Sequence, residues 1–205
     1  MSVHHDDQMA DEIAVDPAMG GKLRTRHRDR VIAELADRQH GVVARAQLLE
    51  MGLGRRVIDH RLKRGALHPV HRGVYAVGHR VLSMEARWMA AVLVGGEGAV
   101  LSHRSAAELW GMRTSTRSRI EATVPRRCHP RPGVQLHFVL VPFDEVTTVR
   151  GIPVTTVPRT VLDLAAVVGR RHVERALHEA EVRRLGDRLS LDDLVARHPG
   201  RRAWL

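Results

Sequence analysis

Residues 28–78 are cut into short segments whose order leaves few folds open. "RDRVIAELADRQHG" (28–41) places Val31, Ile32 and Leu35 at helical spacing and stops at Gly41. After "VV", the stretch "RAQLLEM" (45–51) predicts a second short helix ended by Gly52, and "GRRVIDHRLKRG" (54–65) a third. "ALHPVHRGVYAVG" (66–78) then sets Leu67, Val70, Val74, Tyr75 and Val77 in two short strands around the turn "HRG". Helix, helix, helix, hairpin is the order of a winged helix-turn-helix, an architecture that docks on double-stranded DNA. The inference rests on element order and length rather than on any single residue.

The third helix carries the charge. At about 100° per residue, Arg55, Arg56, Asp59, His60 and Lys63 fall within one arc of roughly 140°. Val57, Ile58 and Leu62 lie opposite and would pack on the preceding helices, with Arg61 among them, expected to snorkel or pair with Glu34 or Asp37. Recognition helices present their N-terminal residues to major-groove edges, where Arg reaches guanine bidentately. Arg55 and Arg56 therefore read as base contacts, and Lys63 and Arg64 at the far end as phosphate contacts. Arg45 and Gln47 in the first turn of the second helix, and Arg72 beside Gly73 in the wing turn, extend the expected surface.

Charge distribution agrees with that assignment without proving it. The first 21 residues hold five acids (Asp6, Asp7, Asp11, Glu12, Asp16) and no Lys or Arg, so the other 184 carry a formal +15. Residues 22–80 hold fourteen Lys or Arg against five acids, a net +9. Such an excess favours polyanions. Nearly all of it is Arg, with Lys22 and Lys63 as the lysines, so arrangement must count for more than number. Tyr75 is the single tyrosine and both phenylalanines lie far downstream, which argues against a stacking platform for single strands. The longest apolar run, "WMAAVLV" (88–94), is far short of the ~20 residues that span a bilayer. An acidic N-terminus without an apolar stretch, and one cysteine, Cys128, fit a cytoplasmic protein.

A second unit starts at "SMEARWMAAVLVGGEG" (83–98), with Ser83 as N-cap and Met84, Trp88, Ala91 and Val92 as one apolar stripe. Ser102 is placed to cap "HRSAAELWGM", and "RIEATV" and "VQLHFVLV" read as strands flanking the loop "PRRCHPRPG" as a hairpin tip. "TTVRGIPVTT" predicts a further hairpin, and Thr156 with Pro158 opens a helix through "RTVLDLAAVV". Val173, Ala176, Leu177 and Ala180 mark another helix, and Ser190 with Asp193 forms a capping-box pattern before "LVARH".

Catalytic and metal-binding patterns are weak. The acid clusters "HEAE" (178–181) and Asp192–Asp193 sit on amphipathic helices as solvated charge, and both lysines are upstream of any nuclease-like site. Fourteen histidines show no structural-zinc spacing, and His68 and His71 belong to the wing. Ser102 and His103 are adjacent, and adjacent side chains on a helix diverge, so they do not read as nucleophile and base. Arg126, Arg127 and Arg131 read as a solvated loop able to touch DNA or an acidic partner, and Cys128 is left unassigned. No catalytic residue, metal or cofactor is predicted.

The wording of the chain resembles the AbiEi-type antitoxins of type IV toxin-antitoxin systems in their actinobacterial, winged-helix form. The matching segments are "RQHGVVARAQLLEMGLGRRVIDHRLKRGALHPVHRGVYAVGH", "AVLSHRSAAELWGM", "RIEATVPRR", "GIPVTTVPRTVLDLA", "ERALHEAEVRRL" and "ARHPGRR". That resemblance implies a winged helix that represses its own operon and a following domain that counters a nucleotidyltransferase-like toxin. Ala44 and Gly54 depart from it, standing where similar sequences carry a Ser or Thr cap; Ala forgoes about 1 kcal/mol there and Gly a few tenths. Many similar proteins also continue into a Vsr-like endonuclease domain after "ARHPGRR".

The expected fold is α+β: a disordered acidic leader (1–22), a winged helix-turn-helix (23–80) and a mixed α/β antitoxin-like domain with C-terminal helices (81–205). The expected DNA-facing residues are Arg45, Gln47, Arg55, Arg56, His60, Lys63, Arg64 and Arg72. The expected function is a non-enzymatic, DNA-binding antitoxin with operator DNA and a toxin as partners. Two alternatives stay open: the DNA-targeting portion of a Vsr-like endonuclease, or a protein-binding module that does not bind DNA.

Overall fold

The structure is a computed structural model; it describes residues 17–114, 119–127, 129–186 and 190–199, with side chains from residue 27 onward. The first half runs α1 (Pro17–Arg38), β1 (Val42–Ala44), α2 (Arg45–Glu50), α3 (Arg55–Lys63), β2 (Leu67–His71) and β3 (Val74–Val77). β3 lies between β1 and β2 in an antiparallel sheet, and β2–β3 is the wing. Ile32, Ala36, Val43, Leu48, Leu53, Ile58, Leu67 and Tyr75 form the core beneath the three helices. α1 closes as its sequence predicts. Gly41, at φ +86°, turns the chain so that its N–H donates to the Ala36 carbonyl at 2.8 Å.

The helix starts earlier than predicted. Residues 17–22 are helical although the pattern assigns them to the leader, because Pro17 suits a first helical position and Gly20 and Gly21 cost only about 1 kcal/mol each within a helix that continues to Arg38. The five leader acids, at residues 6–16, lie outside the described residues.

The second half runs α4 (Met84–Gly95), β4 (Val100–Leu101), α5 (His103–Leu109), β5 (Ile120–Val124), β6 (Val134–Phe138), a 3-10 turn (Phe143–Glu145), β7 (Val146–Val149), β8 (Ile152–Thr155), α6 (Val157–Ala165), α7 (Arg170–Val182) and α8 (Leu191–Arg197). The sheet order is β6-β5-β4-β8-β7, with β4–β8 and β5–β6 parallel and the other pairs antiparallel. The fold is α+β, with the α6–α8 helices at its C-terminal end.

β5 and β6 are therefore not the hairpin that the sequence predicts. Short connections usually join antiparallel strands. Residues 125–133 nevertheless number enough to run back along a five-residue strand, since extended chain covers about 3.3 Å per residue, and Pro132 with Gly133, at φ +75°, turns the chain into β6 as the Val134 N–H donates to the Arg131 carbonyl at 3.1 Å.

α4 also differs from its predicted single stripe. Ala86, Trp88, Met89, Ala90, Ala91 and Val92 are all buried, while Met84 is exposed. The reason is position: α4 is packed between the two sheets. One side meets Val42, Val74 and Ala76 of the first sheet and the other meets Leu101, Val124, Ile152 and Val154 of the second, so one apolar cluster spans both. The β7–β8 turn adds a polar tie. Arg150 and Gly151, at φ +50° and +76°, bring the Arg150 carbonyl to the His40 Nε2–H at 2.7 Å, and Arg150 Nη1 donates to Glu85 Oε1 at 3.1 Å.

Candidate nucleic-acid interface

α3 presents the surface that its wheel predicts. Ile58 is fully buried, Val57 and Leu62 are partly so, and Arg55, Arg56, Asp59, His60, Lys63 and Arg64 face solvent. Arg72 is exposed at the wing turn, where Gly73 adopts φ +83°. Among the described residues, Arg55, Arg56, Lys63, Arg64 and Arg72 are held by no ion pair or side-chain hydrogen bond. Five unpaired cations thus line one helix face and the neighbouring turn.

Arg61 faces inward, as expected, but with a different partner. Its Nη2 donates to Asp29 Oδ1 of α1 at 2.6 Å, and its side chain is 13% exposed. Glu34 is instead bound to Arg30 one turn away, at 2.8 Å. The wheel fixes the direction of Arg61; how α1 crosses α3 decides which acid it meets.

Two residues expected on the outer surface are committed elsewhere. Arg45 Nη1 donates to Asp59 Oδ1 at 2.9 Å and to Tyr75 Oη at 3.1 Å, while its backbone N–H binds the Gly73 carbonyl at 2.7 Å. It clamps α2 to α3 and to the wing, and the hydrogen bonds to Tyr75 and Asp59 raise its already high pKa. Gln47 Oε1 accepts the Ala44 N–H at 2.9 Å, the reciprocal half of a capping box that Ala44 cannot complete. Its amide also pairs with that of Gln39, which binds the Val42 carbonyl. Gln47 lines a crevice between α1, α2, α4 and β8 rather than the α3 face. These bonds replace the missing Ser or Thr cap, a role the sequence pattern missed.

The β5–β6 loop reaches toward the wing. Burial pushes the pKa of His71, next to the wing turn, below its usual value, and the nearby Arg131 guanidinium lowers it further. Arg126 is exposed, and Arg127 lies over the Phe138 ring at 5.6 Å. Cys128 lies outside the described residues.

Ser102 and His103 are arranged differently from the prediction. Ser102 opens α5 through its carbonyl, but its hydroxyl makes no cap; it bonds His103 Nδ1 at 2.9 Å and accepts from Thr123 Oγ1 at 2.8 Å. The two side chains converge because His103 is at φ +52°, outside helical geometry. His103 stacks on His137 at 3.6 Å, and Glu121 beneath them accepts the Arg104 N–H at 2.8 Å and its guanidinium at 2.6 Å. Arg104 also donates to the Val167 carbonyl. This buried network fastens α5 to β5 and to the end of α6. The acid clusters at 178–181 and 192–193 lie on largely exposed helix faces, and Ser190 caps α8 by accepting the Asp193 N–H at 3.1 Å.

Comparison with known families settles the lineage. The AbiEi antitoxin C-terminal domain matches residues 98–203, just over half of the chain, and the family described as "Transcriptional regulator, AbiEi antitoxin" matches residues 30–78. The chain belongs to the AbiEi antitoxin family. The regulator match covers the α1-to-wing segment and the antitoxin match runs from β4 onward; α4 lies between them. A crystal structure of the RV2827C protein from Mycobacterium tuberculosis is similar at 19% identity with a TM-score of 0.39, covering 73% of this chain and 70% of that one. A search of curated proteins gives no match. No helix among the described residues is long and apolar enough to cross a membrane.

Proposed function

We propose that this AbiEi-family chain binds double-stranded operator DNA through residues 23–80, represses its own operon, and through residues 81–205 counters a nucleotidyltransferase-like toxin in the cytoplasm. The observation that carries the DNA half is the set of five exposed cations without intramolecular partners on α3 and the wing turn, on the scaffold order used by winged helices. Arg55 and Arg56 at the start of α3 read bases, Lys63, Arg64 and Arg72 hold phosphates, and His60 lies between them. Arg45 supports the surface from behind, and Gln47 serves the α2 cap. The toxin half is supported by the family match at residues 98–203. Neither half requires a catalytic step.

A mobility-shift titration with DNA from upstream of the gene tests this directly. Arg55→Ala with Arg56→Ala removes two base contacts worth about 1–3 kcal/mol each, so binding should weaken at least tenfold. Wild-type log affinity should fall with log salt at a slope near −4.5 if ~5 phosphates are met. The same double variant should still protect cells that co-express a neighbouring nucleotidyltransferase toxin, because its changes are confined to α3. Equal DNA binding by both proteins, or binding by neither, overturns the assignment of α3.

A further inference from the structure

Asp59 is an anomaly on the α3 face. A surface that meets phosphate is expected to exclude carboxylates, yet Asp59 sits one turn from Arg55 and one turn from Lys63, with a side chain 53% exposed. It bonds neither neighbour. Its Oδ1 is bound instead by Arg45 from α2 at 2.9 Å, and Arg45 is itself fixed by Tyr75 Oη at 3.1 Å and by its N–H to the Gly73 carbonyl at 2.7 Å. Oδ2 makes no hydrogen bond to any described residue.

Three consequences follow from that arrangement. Pairing with Arg45 cancels the negative charge without quenching Arg55, Arg56 or Lys63. The bond from Arg45 restrains the carboxylate, so less side-chain entropy is lost when a ligand meets Oδ2. The free oxygen can also accept a hydrogen bond from outside, and in the major groove the donors are the amino groups of cytosine N4 and adenine N6. Adenine carries the N7 acceptor beside N6, which repels a second acceptor, whereas cytosine presents N4 without one on that edge. Guanine O6 and N7 and thymine O4 are acceptors and would be rejected.

We infer that Asp59, positioned by Arg45 and Tyr75, is a specificity-determining residue that selects cytosine at one position of the DNA site. This rests on the DNA-binding function proposed above and adds a sequence preference to it. Arg55 and Arg56, one turn away, would take the guanines of adjacent steps, so the core of the site is a G·C-rich step pattern with one strand's cytosine facing Asp59.

Selection of binding sites from random duplex DNA by the full-length chain tests the inference. Wild type should enrich sites with one position fixed as cytosine, disfavouring the other bases by about five- to 150-fold. Asp59→Asn, which keeps the side-chain shape and an oxygen for Arg45, should lose that preference at that position while keeping the rest of the site. Asp59→Ala should do the same with weaker overall binding. If Asp59 only braces α2 against α3, Asp59→Ala will weaken binding to all sequences equally, Asp59→Asn will weaken it little, and both will leave the selected site unchanged, which overturns the inference. A wild type that enriches no sequence overturns the proposed DNA-binding function, and this inference with it.

Discussion

Burial of Glu121 would by itself push its carboxyl pKa up, but the result is the opposite: it is lowered from 4.5 to about 2. His137 and the Arg104 backbone and side chain oppose the burial. With His137 Nε2 3.8 Å away, beyond hydrogen-bond reach, we assign most of the lowering to the two Arg104 bonds at 2.8 and 2.6 Å. A carboxyl depressed in the folded state contributes stability that is complete above about 4.5 and lost as pH falls toward about 2. The loss amounts to about 3 kcal/mol. Chemical denaturation at a series of pH values between 5 and 2 should show wild type weakening across that interval and Glu121→Gln, already less stable near neutrality, changing much less; parallel curves would refute the assignment. Residue-scale legibility in the sequence was uneven for a physical reason. A helical wheel suffices to place Arg55, Arg56 and Lys63 outside and Arg61 inside, because each depends on its own helix. Arg45, Gln47 and the Asp29 partner of Arg61 depend on how helices cross, which no wheel contains. Ser102 and His103 failed as a prediction because it assumed helical geometry for a residue at φ +52°.

α6 shows the same limit at the scale of an element. "VPRTVLDLA" carries Arg159 and Asp163, charges that ordinarily mark a solvated face, but every residue from Val157 to Ala165 is buried. Arg159 Nη1 donates to Glu145 Oε2 at 2.7 Å and its Nε to Asp163 Oδ1 at 3.0 Å, while His198 Nε2 lies 3.0 Å from Glu145 Oε1. The Arg159 pKa is raised: burial disfavours its charge, but Asp163 and Glu145 outweigh that. These four residues join α6 to the 3-10 turn and to the end of α8; without Glu145, Arg159 keeps Asp163 but its buried Nη1 loses its acceptor, and His198 loses its carboxylate. Glu145→Ala should lower unfolding free energy by about 1.5–3 kcal/mol, the worth of a buried hydrogen bond to a charged group, against little change for Asp144→Ala next to it, whose bond to Arg197 is a surface pair. A Glu145→Ala loss below about 1 kcal/mol would show that water replaces the pair. The sequence shows where α6 starts, through Thr156 and Pro158, and where both hairpins turn. It does not show the parallel pairing of β5 with β6, since β-strand alternation is the same for either direction.

For the molecule as a whole, the decisive element is α4, which lies outside both family matches and inside both halves of the core. Composition and motifs divide the chain near residue 80, because the recognisable segments on either side are separate in sequence. Packing does not respect that division: Val42, Val74 and Ala76 bury their apolar surface against α4, which buries its other side against Leu101, Val124, Ile152 and Val154. The wing sheet exposed by loss of α4 would forfeit about 25 cal/mol for each Å² of apolar surface returned to water. The His40–Arg150 hydrogen bond links the halves a second time, and the Arg150–Glu85 bond ties that same turn to α4. We therefore expect one cooperative unfolding transition in place of two independent ones. Hydrogen exchange followed across a denaturant series should find β1–β3 and β4–β8 losing protection at the same concentration. Trp88→Ala, which opens a cavity in the helix between them at a cost of about 3–5 kcal/mol, should move both midpoints together. If the wing sheet instead keeps its wild-type midpoint while β4–β8 shifts, the two halves are energetically separate and α4 belongs to the second alone. On the DNA-binding function proposed above, coupling of that kind would also let a change in residues 81–205 alter the position of α3 on DNA, because α4 bears on the strands of both sheets.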